Sequence, residues 1–311
     1  MSTNPTVIDL VKKMHIVKDE AELQQFFDKI KPDAVTGPVR IAFVNAHAFN
    51  LADKASKQTP EEDAKKGNFL KDLLACDYVL RDGDGMRRLF DMLERDPGLN
   101  LNGTDLIPRI MDLYRGKDVA LLGTTEEYLD KAGEVIAAES GVKPSLKIDG
   151  FKNDQAYVDG LKAKPAPVTV LAMGMPKQER VSKKIADNND APNLIICGGA
   201  ILDFKGGKVQ RAPQIFIKHN KEWVWRLMSE PRRMFSRYVI GNAVFLKRAK
   251  ELAADAKEGK NDLLGNPSPG KPDFLCIRNP GTQEEPFKVM NSLKAMGREF
   301  GKVSLVDADK M

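Results

Sequence analysis

The chain has 311 residues, of which 42% are hydrophobic and 30% charged, a balance that excludes disordered, collagen-like and disulfide-rich proteins. Its three cysteines show no paired spacing, so neither a disulfide framework nor a thiolate zinc site is indicated. The net charge of +5 is unevenly spread, because residues 205–250 carry twelve Lys and Arg against two acids while the remainder has a net charge of −5. Such a basic segment is expected to face the phosphates of a nucleotide, a nucleic acid or an anionic membrane.

No stretch approaches the ~20 apolar residues that a membrane-spanning helix needs. The first residues, MSTNPTVIDL, also lack the basic start and apolar core of a signal peptide. We therefore expect a cytoplasmic protein.

Short β-branched apolar runs alternate with amphipathic stretches along the first two thirds of the chain. The runs predicted as strands are 39–44, 78–80, 119–122, 146–148, 168–173 and 194–197. Helical periodicity covers 126–139 and 177–187, among other stretches. Alternation of this kind predicts an α/β fold, a Rossmann-like parallel sheet with flanking helices.

The pattern changes to helices alone from about residue 212. We predict helices over 219–228 and 231–254, a Pro- and Gly-rich linker over 263–272, and a last module of strand, helix and strand at 274–278, 285–300 and 303–306. The predicted organisation is thus an α/β core (1–204), a basic helical C-terminal appendage (205–258) and a small extra C-terminal extension (259–311).

Glycines follow three of the predicted strands, at Gly123, Gly174 and Gly198. Each alone is ordinary turn chemistry. Three such turns at the carboxyl edge of one parallel sheet favour a nucleotide-binding crevice, since glycine admits close approach and a following helix N-terminus attracts phosphate.

Two carboxylates, Asp82 and Asp84, lie in a glycine-containing turn after the predicted strand 78–80. They could hold a divalent cation, as the DxD of sugar-nucleotide enzymes does, or one could act as a general base. The alternative for Asp84 is the N-cap of the helix predicted over 86–94. A cap explains Asp82 less well.

Polar side chains at two further helix starts are candidate binding residues. Thr104 and Asp105 offer a hydroxyl and a carboxylate, of which capping explains one. Gln178 lies in the first turn after a Gly-x-Pro entry that directs this turn at the crevice, although a helix surface explains it equally well.

Four arginines of the basic segment, Arg211, Arg226, Arg233 and Arg237, could converge on a diphosphate. Guanidinium groups clamp phosphate oxygens without a metal. The alternative is a solvated basic helix face on which Glu222 and Glu230 pair locally. The histidines have no metal-ligand spacing, and no Walker loop, GxGxxG or GxSxG is present.

Ten short motifs over about residues 38–250 resemble, in order, those of the WecG/TagA/CpsF glycosyltransferases, glycosyltransferase family 26. They are Val44-Asn45-Ala46-His47, Asp82-Gly83, Gly103-Thr104-Asp105-Leu106, Leu121-Leu122-Gly123, Gly174-Met175-Pro176-Lys177-Gln178-Glu179, Gly199-Ala200-Ile201-Leu202-Asp203-Phe204, Arg211-Ala212-Pro213, Glu222-Trp223, Arg226-Leu227 and Glu230-Pro231-Arg232-Arg233.

The resemblance implies an inverting bacterial enzyme that moves a sugar from a UDP-sugar to a polyprenyl-diphosphate-linked saccharide. It implies N-acetylmannosamine, its uronic acid or glucose as the donor sugar, and the inner face of the cytoplasmic membrane as the place of action. Asp82 matches the proposed base, Asn45, Thr104 and Gln178 line the pocket, and Arg226 and Arg233 close over the nucleotide. No cofactor or metal is implied, which disfavours the DxD interpretation.

The chain departs from the family pattern at several points. Ser236 stands where relatives often have an arginine, which makes Arg237 a candidate substitute, and Arg81 replaces an apolar residue or proline. A polar insertion over 56–68 lengthens the gap before Asp82, and the tail after about residue 259 has no counterpart. The basic residues Lys247, Arg248 and Lys250 match no nucleotide-facing position, so we expect them to contact an anionic membrane.

Two other functions are compatible with parts of the pattern. A non-catalytic sugar-nucleotide sensor would keep the crevice without needing Asp82. A nucleic-acid-binding protein would explain the basic segment, but no nucleic-acid-binding motif accompanies it, so we expect no nucleic-acid partner.

Overall fold

The computed structural model describes residues 5–213, 215–216 and 222–265. Its strands are β1 (Met14–His15), β2 (Pro38–Val44), β3 (Tyr78–Arg81), β4 (Asp118–Gly123), β5 (Lys143–Ile148), β6 (Val168–Ala172) and β7 (Asn193–Cys197). Within the described chain they form one sheet in the order β1-β3-β2-β7-β6-β4-β5, and every pair of neighbours is parallel.

Helices cover both faces of this sheet. They are α1 (Val7–Lys13), α2 (Glu20–Ile30), α3 (Ala46–Ala55), α4 (Pro60–Lys66), α5 (Phe69–Leu74), α6 (Gly83–Met92), α7 (Gly103–Leu113), α8 (Glu126–Ser140), α9 (Asp154–Ala163), α10 (Lys177–Asp187), α11 (Ile201–Lys205), α12 (Glu222–Ser229), α13 (Pro231–Phe235) and α14 (Gly241–Lys257). A π-helical turn, Ser236–Ile240, joins α13 to α14.

Alternating strand residues divide the core into two layers. On β2, Ala42 and Val44 join a cluster with α1, α3, α5, α6, α9, α10 and α14, whereas Ile41 and Phe43 join one with α2, α7, α8 and α11. Strands β6 and β7 are buried throughout, as expected for a parallel sheet covered on both faces. The predicted Rossmann-like α/β fold is therefore confirmed.

The six predicted strands and the helices over 126–139 and 177–187 are all present. Strand β1 was not predicted. It has only two residues, Met14 and His15, which pair with Val79 and Leu80 at the edge of the sheet. A run this short carries no period-two pattern for sequence analysis to detect.

The last described helix anchors the basic segment to the core. Phe245 of α14 contacts Phe49 of α3 edge-on, with ring centroids 5.3 Å apart, and Asn50 donates a hydrogen bond of 2.7 Å to the Gly241 carbonyl. The helix predicted over 231–254 is interrupted by the π-helical turn. Residues 222–240 precede α14 in the sequence. With α14 packed on α3, they lie near the carboxyl ends of the strands.

Residues 266–311, which include the predicted module of strand, helix and strand, lie outside the described part of the chain. Within the described part, no helix combines the length and the apolar character needed to cross a membrane.

Candidate active site

The turns that follow β2, β3, β4, β6 and β7 meet at one edge of the sheet. Backbone hydrogen bonds connect them: Asp82 donates to the Val44 carbonyl at 2.9 Å, and Thr124 donates to the Ala172 carbonyl at 3.1 Å. The carboxyl edge of a parallel sheet is where open α/β folds bind ligands, so this edge is the candidate active site.

Asn45 and Asp82 form a hydrogen-bonded pair at the centre of this edge. The Asn45 side chain caps α3 by accepting hydrogen bonds from the backbone N–H groups of His47 and Ala48, both at 3.1 Å. Its Nδ2 donates to Asp82 Oδ2 at 3.0 Å. Asp82 occupies the N-cap position of α6, but its side chain makes no capping hydrogen bond. Its half-buried carboxylate is thus oriented by Asn45.

Asp84 does not cap α6, which corrects that sequence-based alternative. It lies inside the first turn, and its two oxygens accept hydrogen bonds from Arg87 and Arg88, each at 2.7 Å. Burial alone would raise the pKa of Asp84, but the bonds from Arg88 and Arg87 hold the pKa below its ordinary value.

In the described chain, no cluster of three or more His, Cys, Asp or Glu side chains is arranged to hold a metal ion.

Gln178 lies beneath the turn that follows β7. It is fully buried, its Oε1 accepts from the Gly199 N–H at 3.1 Å, and its Nε2 donates to Glu179 Oε1 at 2.8 Å. Glu179 is also fully buried, and burial raises its pKa to about 7. The pair fixes the position of a crevice turn from below. In the sequence analysis, Glu179 appears only as part of the 174–179 motif and has no assigned role.

Gly123 permits a close crossing of β4 and β6. Its φ is +150°, and a Cβ at this position would lie 2.3 Å from the Ala172 carbonyl oxygen. The next residue, Thr124, donates from Oγ1 to Asp203 at 2.6 Å. Gly174, with φ of +79°, has open space around the position of a Cβ. Only the first of these two candidate glycines is required by packing.

Arg211 connects the start of α7 to the start of α12. Its guanidinium donates to Asp105 and lies 3.8 Å from a Glu222 oxygen. Asp105 in turn accepts from Asn102, the N-cap of α7. Thr104 is partly exposed in the first turn of the same helix. These contacts bring the basic segment to the crevice.

Glu222 is a second carboxylate near Asp82, which sequence analysis assigned only to local pairing. Burial raises the pKa of Glu222. The positive charges of Arg211 and Arg226 lower this pKa, and the negative charges of Asp105 and Asp82 raise it further. The Arg226 guanidinium also lies over the Phe204 ring, 4.9 Å from its centroid. Helix α12 therefore lies against the crevice.

Arg237 approaches the opposite side of the site, next to the first turn of α3. Burial, followed by the positive charge of Arg237, lowers the pKa of His47 to about 4. His47 follows Asn45 by two residues, in the first turn of α3, and therefore lies beside the crevice. Arg233 belongs to α13, but its side chain lies outside the described part of the structure.

The chain is similar to proteins of one known family. The profile of the glycosyl transferase WecG/TagA/CpsF family matches residues 12–258. A protein of Bacillus spizizenii strain W23, an N-acetylglucosaminyldiphosphoundecaprenol N-acetyl-beta-D-mannosaminyltransferase, is 28% identical over 172 residues, which are 53% of this chain and 66% of the relative. The chain thus matches slightly less than two thirds of the length of that relative.

Proposed function

The chain belongs to the WecG/TagA/CpsF family of glycosyltransferases, and on that premise we propose that it transfers a sugar from a UDP-sugar to a polyprenyl-diphosphate-linked saccharide. The observation that carries the proposal is the Asp82 carboxylate, held by Asn45 at the carboxyl edge of the sheet. The relative's activity favours N-acetylmannosamine as the donor sugar over its uronic acid or glucose.

In the proposed mechanism, Asp82 acts as the general base. It removes the proton from an acceptor hydroxyl, the oxygen attacks the anomeric carbon, and the bond from that carbon to the UDP oxygen breaks with the electron pair going to UDP. A single displacement inverts the configuration at the anomeric carbon. Asn45 contributes by fixing the orientation of the carboxylate.

The charge of the departing UDP is neutralised by arginines in this proposal. Arg226 and Arg237 approach the crevice from α12 and the π-helical turn, and Arg211 holds α12 in place. Arg233 is assigned to the same task from the resemblance alone. Preorganised cations next to developing negative charge lower the barrier without reorganisation during the reaction.

The proposal is tested by incubating the protein with a panel of UDP-sugars and lipid-linked acceptors and measuring UDP release. Acceptor-dependent release with one donor supports it. A protein that binds UDP-sugars without turnover is a sensor, and one that binds DNA or RNA in a salt-sensitive manner without binding UDP has a nucleic-acid function.

Transfer activity is expected to survive an excess of EDTA. Both oxygens of Asp84 accept hydrogen bonds from Arg87 and Arg88, which makes Asp84 a poor partner for a cation shared with Asp82. The measurement is the rate of UDP release before and after chelation. Loss of activity that Mg²⁺ or Mn²⁺ restores would require Asp82 and Asp84 to be reinterpreted as metal ligands.

We also propose that the protein acts at the inner face of the cytoplasmic membrane and contacts anionic lipid through its basic segment. Apolar side chains are exposed along one stretch of that segment: Phe235 is 54% exposed, Ile240 54% and Val244 52%. Lys247 and Lys250 are exposed in the following turns. Apolar side chains with adjacent cations are what a peripheral protein needs to bind an anionic bilayer surface.

Arg248 does not belong to this membrane-facing set, which corrects the sequence-based expectation. Its Nε donates to Asp53 on α3 at 3.0 Å, and its Nη1 donates to Glu251 at 3.2 Å. It therefore stabilises the packing of α14 on α3. The test of membrane contact should leave Arg248 intact.

The double variant Lys247→Gln/Lys250→Gln is expected to bind anionic vesicles more weakly, by about 1 kcal/mol per charge, and to keep its activity on a soluble acceptor. Vesicle co-sedimentation measures the first effect and UDP release the second. The matched control is Lys162→Gln/Lys164→Gln, which removes two exposed lysines near the end of α9. Equal vesicle binding by both variants would contradict the assigned surface.

A further inference from the structure

A cavity near the candidate active site has no part in the mechanism above. It has a volume of about 430 Å³ and lies between α3, α4, α5 and the start of α10. Volumes of roughly 300–1,000 Å³ are usual for small-molecule sites. Pro176 lines the cavity and belongs to the turn between Gly174 and Gln178, which also borders the candidate active site.

One wall of this cavity comes from the segment that the resemblance marks as an insertion. Gln58, Glu62 and Lys66 line it, and all three come from the polar insertion over 56–68, which departs from the family pattern. The insertion is well anchored: Thr59 and Glu62 form a capping box at the start of α4, and Asn68 donates to the Ala55 carbonyl at 3.0 Å. A well-ordered insertion that encloses a cavity suggests recognition of a ligand.

A buried carboxyl group lines the same cavity. Asp72 is 8% exposed, and its carboxylate makes no hydrogen bond or ion pair with any residue in the described chain. The nearby Arg40 guanidinium instead donates to the backbone carbonyls of Asp72, Ala75 and Glu179 and to Ser182. Because the Asp72 carboxylate lines the cavity without a donor from the described chain, it can accept a hydrogen bond from a ligand hydroxyl.

Cations line the rest of the cavity. Lys57, Lys66 and Arg180 pair with Asp53, Glu62 and Asp154, whereas Lys54 has no ion pair among the described residues. The apolar side chains that line it are Leu51, Ala55, Phe69 and Pro176. The cavity thus combines a carboxylate suited to hydroxyl donors, lysines suited to phosphate, and an apolar wall.

We propose that this cavity binds a phosphorylated saccharide, with sugar hydroxyls donating to Asp72 and the phosphate contacting Lys54 and Lys66. The same chemistry is offered by a soluble sugar phosphate and by the sugar-diphosphate head of a lipid. Pro176 belongs to the turn bordering the active site, so one wall of the cavity reaches that turn. The insertion over 56–68 then determines which saccharide is bound.

The test is calorimetric titration with glucose 1-phosphate and N-acetylglucosamine 1-phosphate, repeated with nanodiscs that carry a polyprenyl-diphosphate-linked sugar. The variant Lys54→Gln/Lys66→Gln is expected to weaken binding by about tenfold or more, the loss expected for charge-assisted contacts. Lys65→Gln, which removes an exposed lysine of α4 that does not line the cavity, should bind as the parent does.

Asp72→Asn tests the saccharide part of the proposal, and thermal unfolding checks that this variant folds. It should weaken the sugar phosphates and leave pyrophosphate binding unchanged. Tighter binding to the nanodisc identifies the lipid head as the source, and tighter binding to the soluble compounds identifies a free sugar phosphate. Absence of binding in both arms, or equal binding by Lys54→Gln/Lys66→Gln and Lys65→Gln, overturns the proposal whether or not the protein is a transferase.

Discussion

Replacement of Asp82 by Asn is expected to lower turnover by about 100-fold or more, because general base catalysis contributes a factor of this order. The amide has nearly the shape of the carboxylate, and its oxygen can still accept the 3.0 Å hydrogen bond from Asn45. It cannot accept a proton from an acceptor hydroxyl at neutral pH. The measurement is UDP release at saturating donor and acceptor, together with UDP affinity from calorimetry.

The matched control is Asp91→Asn, on the same helix α6. Asp91 is half exposed and pairs only with Arg87 in the described chain, at 2.6 Å, so its loss should leave turnover within about twofold of the parent, as surface pairs contribute little. Unchanged UDP affinity with lost turnover in Asp82→Asn identifies a catalytic base. Turnover close to that of the parent would remove Asp82 from the mechanism.

Most of the fold could be predicted from the sequence because the central strands are buried on both faces. Strands β6 and β7 are buried throughout and consist mostly of apolar residues, and glycine turns mark where they end. The interruption of the long C-terminal helix at 236–240 could not be predicted, since a π-helical turn has no distinctive local composition. Such a turn depends on how the flanking helices pack.

The candidate site could be predicted only where chain position determines it. Asn45 and Asp82 directly follow neighbouring strands, so a parallel sheet places them together. The position of Glu222 near Asp82 depends on how α12 packs against the crevice, and no local sequence pattern contains that information. Asp84 was misinterpreted as a cap because its competing donors, Arg87 and Arg88, become neighbours only on the formed helix.

The double variant Arg226→Ala/Arg237→Ala is expected to lower kcat/KM by about 100-fold on a soluble acceptor, the scale seen when preorganised charge stabilisation is removed. Arg226 lies over Phe204 and Arg237 lies beside His47, so the two cations reach the crevice from different elements. Removing both deprives the charge that develops on UDP of two of the three arginines proposed to neutralise it. The measurement is the rate of UDP release across donor concentrations.

The control for the arginine pair is Arg232→Ala, which removes an exposed cation from α13. A soluble acceptor eliminates any membrane contribution, so this variant should act as the parent does. The variant Arg226→Lys/Arg237→Ala should recover only part of the activity that Arg226→Ala/Arg237→Ala loses. An ammonium group keeps the positive charge but does not make the bidentate contact with phosphate oxygens. Full activity of the double variant would assign these arginines to packing, and the neutralisation of UDP would then fall to Arg211 and Arg233.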